Sequence, residues 1–322
     1  ERSEYLLTQL SEPKKYDHAR ARDGFLIMLW GYFLKIVIAD RASVFVDTVY
    51  GSYLGYDGSA LLLATVLFAV QIYCDFFGYS SIALGAAKIL GIDLTDNFNA
   101  PYLSLSVKDF WKRWHCSLTS WFRDYVYIPL GGSRKGTLRK YINIMTVFLI
   151  SGLWHGAELS FLLWGGINGF LQIIGEQTLS FRKKICFRFH IRRESFIFRL
   201  CSILFTFSLI CFTWIFFRAP DIPTAFSVFR SVLFSFRFSA LRNGGLLSCG
   251  LDQYDLFLLL FCIIFLTATD ICKRKGFCVH KRISGLPFPL RCCVTVFSVC
   301  FILLFGIWGT EFNNMNFIYF RF

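Results

Sequence analysis

The sequence offers two side chains suited to proton transfer, His115 and His155, each a lone imidazole in a strongly apolar or aromatic stretch. An imidazole so placed can act as a general base, taking the proton of a hydroxyl as that hydroxyl attacks an activated acyl group. Asp75, Asp124 and Glu158 are the acidic residues that would orient them. No GxSxG elbow is present, the thiols have no histidine at a motif spacing, and no metal is expected. The residues alone leave two classes open, an intramembrane histidine enzyme and a proton-coupled transporter in which His155 and Asp75 relay protons.

The element that must position His155 is the stretch 141–175, an apolar hairpin with the histidine at its turn. As a helix, the fifteen residues from Tyr141 to His155 span roughly 22 Å, short of a bilayer core about 30 Å thick. Leu159–Ile174 reads as a helix running back, with Gly165 and Gly169 on a face that permits close helix contact. A titratable group at membrane depth is costly, and it reads by default as a functional site. Position alone equally fits a histidine satisfied by a backbone carbonyl in a buried kink. In the functional reading Trp154 excludes water, Gly156 leaves room for a thioester, and Glu158 holds the imidazole tautomer.

His115 lies in KDFWKRWHCSLTSWFRDYVYIPLGG, read as one amphipathic helix. Phe110, Trp111, Trp114, Leu118, Trp121, Phe122 and Tyr125 share a face; Lys112, Cys116, Thr119, Ser120, Arg123 and Asp124 occupy the rest. His115 falls on the border between the faces, where it would position a substrate or orient His155. A surface helix anchored by Trp and Tyr is the simpler alternative.

The whole chain has 322 residues, of which 55% are hydrophobic and 19% aromatic, more apolar surface than a soluble domain needs. The expected class is all-α: a polytopic helical membrane protein with short, broken and re-entrant helices around a central histidine, forming one integral-membrane domain over 1–322. The net charge of +13 falls in short clusters between apolar runs, the positive-inside pattern, and speaks against nucleic-acid binding. Residues 1–23, 133–140, 182–199 (with His190 in a solvated loop) and 273–282 are therefore expected on the cytoplasmic side. Leu200–Phe217, Tyr254–Ile271 and Cys292–Trp308 read as spans, and 219–253 as an external loop. Gly24–Ala39 carries Lys35 and is short for a span. Ala60–Ile92 is too long for one, so it is read as a helix to about Cys74, a break, and a second helix capped by Asp75 and packed through Gly78, Ser81 and Gly85. The Asp-, Asn-, Pro- and Ser-rich 93–107 is a loop. The twelve cysteines are scattered, many inside apolar runs, and read as small hydrophobes. The chain opens on a charged stretch without an initiator methionine or a signal peptide, and is expected to be a fragment.

Two motifs then carry a resemblance. DFWKRWHCSLTSWFRDYVYIPLGGSRKG followed by ISGLWHGAELSFLLWGGINGFLQ resembles the membrane-bound O-acyltransferases, in particular the bacterial branch typified by the alginate O-acetyltransferase membrane subunit. YCDFFGYSSIALGAAKILGIDLTDNFNAPY, TWIFFRAPD and the terminal FIYFRF extend it nearly end to end. The resemblance implies that His155, in the WHG motif, is the catalytic histidine and His115, in RWH, the second characteristic residue. Trp114, Arg123, Asp124, Trp154, Asp75 and Glu158 are the candidate substrate-binding residues around them. The related teichoic-acid D-alanylation protein shares both histidines but lacks the IPLGG-with-basic-residues continuation seen at 128–135, which favours polysaccharide O-acetylation. The resemblance also implies a helical ring around a thinned centre in the cell membrane, no bound cofactor, a cytoplasmic acetyl-CoA or other acyl thioester as donor, and family helices upstream of residue 1. The expected partners are the lipid bilayer, a polysaccharide acceptor, and a separate extracellular or periplasmic acyl-accepting protein, because so little of the chain is expected outside.

Overall fold

The computed structural model describes residues 1–237 and 249–308. They are helical, with no strand among them, and four helices are long and apolar enough to cross a membrane. The chain is an all-α, multi-pass membrane protein. It forms two compact units.

The first unit draws on Glu1–Ser52, Val66–Asn99 and the described part of Phe238–Phe322. After the short α1 (Ser3–Ser11), α2 (His18–Tyr32) runs through a widened π-helical turn, Phe33–Ala39, into α3 (Asp40–Gly51) without a break. The apolar run around Lys35 thus looked short because it is the middle of a longer helix. Beside it lies α4 (Gly58–Ile89), also unbroken. Its crossing with α2 is a glycine seam. A Cβ on Gly24 would stand 2.5 Å from the Gly85 carbonyl oxygen, and one on Gly31 2.6 Å from that of Gly78. On each helix the two glycines are seven residues apart and so return to the same face.

No break occurs at Cys74, and Asp75 caps nothing. It sits in mid-helix, 3% exposed, with its carboxylate 2.7 Å from Lys35 Nζ; the same ammonium lies 2.7 Å from Asp40. A charge inside an apolar run looks like a helix end when its partner is forty residues away, and here the partner removes the need for an end. Similar ties hold the rest of the unit, whose C-terminal helices are α12 (Gln253–Arg274), α13 (Val279–Ser284) and α14 (Phe288–Phe305). Buried Arg41 donates to Asp255 and to the Val37 and Phe305 carbonyls, and Tyr73 donates to buried Asp270. Only 6% of the apolar window of α14 is buried by protein, leaving an apolar surface of the kind lipid covers.

The second unit comprises Tyr53–Thr65 and Ala100–Arg237. It contains α5 (Val107–Arg113), α6 (Cys116–Phe122), a π-helical turn at Arg123–Tyr127, α7 (Thr137–His155), α8 (Leu159–Gln177), α9 (Leu179–Arg188), α10 (Phe196–Arg218) and α11 (Ile222–Phe234). The expected hairpin is present as α7 and α8. Its close contact depends on Gly152, Gly165 and Gly169: a Cβ on Gly152 would meet the Phe161 carbonyl oxygen at 2.3 Å, and one on Gly165 that of Phe148 at 2.2 Å. α7 starts four residues earlier than the apolar run, taking in Arg139 and Lys140, and its nineteen residues span about 28 Å. Lys140 of α7 and Lys108 of α5 both pair with Glu176 near the end of α8, closing the mouth of the hairpin.

Residues 219–237 are not an irregular external loop. Asp221 accepts from the Thr224 N–H, Pro223 stands in the first turn, and α11 follows. The Thr224 hydroxyl and then its N–H, both bonding the charged form, hold the Asp221 carboxyl below its usual pKa. Residues 238–248 of the expected loop and the C-terminal FNNMNFIYFRF lie outside the described residues.

Candidate active site

His155 is the last residue of α7, and the chain leaves it through Gly156 in extended backbone. The sequence expects open space at Gly156; instead the Phe161 ring fills it, and a Cβ there would stand 2.6 Å from that ring. The turn is three residues long, and Glu158 starts α8 with its carbonyl accepting from Phe161 N–H at 3.1 Å. Glu158 is exposed, and its carboxylate accepts from Ser160 Oγ at 3.4 Å rather than orienting His155.

Aromatic edges hold the imidazole. Its centroid is 5.0 Å from Trp154, 5.3 Å from Trp164 and 5.2 Å from Phe217, with interplanar angles of 78°, 90° and 80°. These rings come from α7, α8 and α10, so three helices fix one side chain. T-shaped contacts of this kind add roughly 0.5–1.5 kcal/mol each beyond burial, and three of them leave the ring little rotational freedom. Nδ1 is withdrawn from the surface, while the residue as a whole, at the helix end, keeps part of its surface exposed. Trp164 and Phe217 provide the wall expected of Trp154, which is itself 52% exposed.

The aromatic stretch around His115 is two short helices rather than one. α5 ends at Arg113, Trp114 is extended, and His115 adopts the left-handed conformation (φ 46°) before α6 begins. Few non-glycine residues occupy that region, and strain of this kind concentrates at functional sites. Thr119 braces it: its N–H donates to the His115 carbonyl, and its Oγ1–H is shared between the Trp111 and Trp114 carbonyls. The hydrophobic period runs on through the kink, so the pattern alone hides it. The His115 ring reaches the same Trp154 that touches His155, at 6.4 Å between centroids.

The kink is tied to the hairpin by a polar link inside the aromatic cluster. Trp111 Nε1 donates to Asn168 Oδ1 on α8 at 3.2 Å, and Asn168 Nδ2 donates to the Trp164 carbonyl at 2.9 Å. Trp114 packs on Phe110 and Trp214 as part of the core. After the π-helical turn, the loop carrying IPLGG is pinned by Asn143 of α7, which donates to the Leu130 and Gly132 carbonyls. Arg123 and Asp124 pair with each other at 2.8 Å on the exposed side of that turn; the carboxylate beside it raises the guanidinium pKa. Asp75 belongs to the other unit, paired with Lys35. The structure thus brings His155, Trp154 and His115 together, makes Trp114 structural, and leaves Arg123 and Asp124 satisfied by each other. Trp164, Phe217 and Asn168 were missed from sequence; an asparagine inside the apolar FLLWGGINGFLQ was the available signal.

The profile of the MBOAT, membrane-bound O-acyltransferase, family matches residues 24–218, which includes both histidines and all three walls of the His155 site. The chain belongs to that family. Among its curated relatives, the probable alginate O-acetylase of Pseudomonas fluorescens is 36% identical over 214 residues, 66% of this chain and 41% of the relative. The peptidoglycan O-acetyltransferase of Helicobacter pylori is 34% identical over 210 residues, covering 65% and 38%. The teichoic acid D-alanyltransferase of Bacillus subtilis is 30% identical over 152 residues, 45% of this chain. The aligned part thus spans about two fifths of the length of the first two.

Proposed function

We propose that this chain carries the catalytic histidines of an O-acyltransferase that moves an acetyl group from a cytoplasmic thioester, acetyl-CoA, to a hydroxyl of an exported cell-surface polysaccharide. The observation that carries the reading is the His155 ring, fixed at a helix end by aromatic edges from three helices. In the reaction His155 takes the proton of the acceptor hydroxyl as its oxygen bonds to the acyl carbon. The C–S bond then breaks, and the leaving thiolate takes up the proton. His115, strained and sharing Trp154 with His155, positions donor or acceptor. The protein resides in the cell membrane, with 134–140, 182–199 and 273–282 facing the cytoplasm. A separate extracellular or periplasmic protein receives the acyl group before the polymer does. Relatives named as a probable alginate O-acetylase and a peptidoglycan O-acetyltransferase favour acetyl over D-alanyl transfer, as does the IPLGG continuation at 128–135.

The test is acyl transfer from radiolabelled acetyl-CoA by the intact protein in proteoliposomes, with exopolysaccharide or peptidoglycan fragments outside, with and without the secreted proteins of the same cell. Transfer that requires the secreted fraction supports the full reading. Efficient polymer acetylation by the protein alone would remove the intermediate acceptor. Proton flux without thioester turnover would replace the enzyme by a transporter.

A further inference from the structure

Three indoles pack together behind His155. The Trp111 and Trp164 rings lie 5.6 Å apart, and Trp164 stacks on Trp214 at 5.9 Å. The fold supplies an acceptor to two of them: Trp111 Nε1 donates to Asn168 Oδ1 and Trp214 Nε1 to the Tyr102 hydroxyl, both at 3.2 Å. Trp164 is different. It is 1% exposed, and its Nε1 has no hydrogen-bond partner among the described residues. Its ring neighbours are Trp111, Trp214, Phe217 and the perpendicular His155 ring at 5.3 Å. A desolvated N–H with no acceptor is an energetic cost that folded proteins rarely carry, and one left so merits a functional explanation. Here the cost falls on an indole that touches the candidate base.

We propose that the Trp164 Nε1–H is a catalytic hydrogen-bond donor, which receives the carbonyl oxygen of the acyl group undergoing transfer at His155. The inference rests on the reading of His155 as the base. As the acceptor oxygen bonds to the acyl carbon and its proton passes to His155, the carbonyl electron pair moves onto oxygen. The indole N–H stabilises that charge in a water-poor site. When the tetrahedral centre collapses, the C–S bond breaks and the thiolate leaves with the proton from His155. The donor is thus satisfied fully only while the reaction is in progress, which is where its binding contributes to rate rather than to affinity.

The decisive variant replaces Trp164 with benzothienylalanine by codon suppression in the intact protein, which keeps the two-ring shape and deletes the N–H; Trp164→Phe is the encoded companion. Loss of one such donor costs on the order of 10²–10³-fold in kcat. The expected result is that loss, with KM for acetyl-CoA within a few-fold of wild type and thermal stability unchanged or higher. Unchanged kcat would overturn the proposal. So would a fall in stability with activity lost only in proportion to folded protein, the mark of a donor serving the fold. His155→Ala is measured alongside. If it retains activity, the reading of His155 and this inference fail together; if it is inactive while the isostere runs at the wild-type rate, only the role of Trp164 fails.

Discussion

Replacing Gly165 by alanine adds one methyl group where the hairpin backbone has no room for it. The new Cβ would stand 2.2 Å from the Phe148 carbonyl oxygen and 3.0 Å from its carbon, both backbone atoms that cannot rotate away. To restore ordinary contact, α7 and α8 must separate locally by about 1 Å. His155 rides on α7 and its Trp164 wall on α8, one residue from the substitution. A misplacement of about 1 Å can cost roughly 10²-fold in rate, so Gly165→Ala is expected to lose about two orders of magnitude. Gly166→Ala is the control: its Cβ would have its nearest neighbour at 3.6 Å, the tip of Leu149, and should lose less than a few-fold. Both variants are compared by initial acyl transfer per correctly inserted molecule. Equal activity in the two would refute the claim that the glycine seam sets the geometry of the site.

Lys35→Met leaves the Asp40 and Asp75 carboxylates buried without their ammonium, and breaking such a cluster costs about 3–5 kcal/mol; folded yield and thermal stability should fall sharply and recover in part in Lys35→Met/Asp40→Asn/Asp75→Asn. His115→Ala should lower turnover but leave residual activity, because His115 aligns substrate without being the base; normal turnover at normal protein levels would reduce it to a packing element. On a cysteine-free background, single cysteines within 134–140, 182–199 and 273–282 should resist an impermeant thiol reagent in intact cells, and rapid labelling at 182–199 would invert the orientation.

What the sequence discloses about this protein follows the range of the interactions involved. The α7–α8 hairpin is legible because apolar runs, a glycine face and a polar turn are all local. Asp75 misleads because its neutralising partner, Lys35, is brought to it by another helix, and no local pattern distinguishes a paired carboxylate from a cap. The kink at His115 is hidden for the opposite reason: the aromatic period continues through it, while the left-handed residue is braced by Thr119 bonds that any helix-forming sequence could contain. α11 carries an ordinary start signal, Asp221-Ile222-Pro223-Thr224, which an expected external loop led one to overlook. At the site, the histidine is visible from its motif, whereas its walls are not. Phe217 joins it from sixty-two residues away, and Trp164 reads as one more aromatic in an apolar helix until its unpaired N–H is seen.

The central claim is that His155 performs the chemistry. It is tested most directly by initial acetyl transfer from acetyl-CoA, per correctly inserted molecule of intact protein, in wild type, His155→Ala and His155→Gln. General-base catalysis contributes about 10²–10⁴-fold, so both variants should lose at least two orders of magnitude. Insertion should be unchanged, and any fall in thermal stability from the lost ring contacts is removed by measuring per folded molecule. Activity per folded molecule within a few-fold of wild type in either variant would contradict the account.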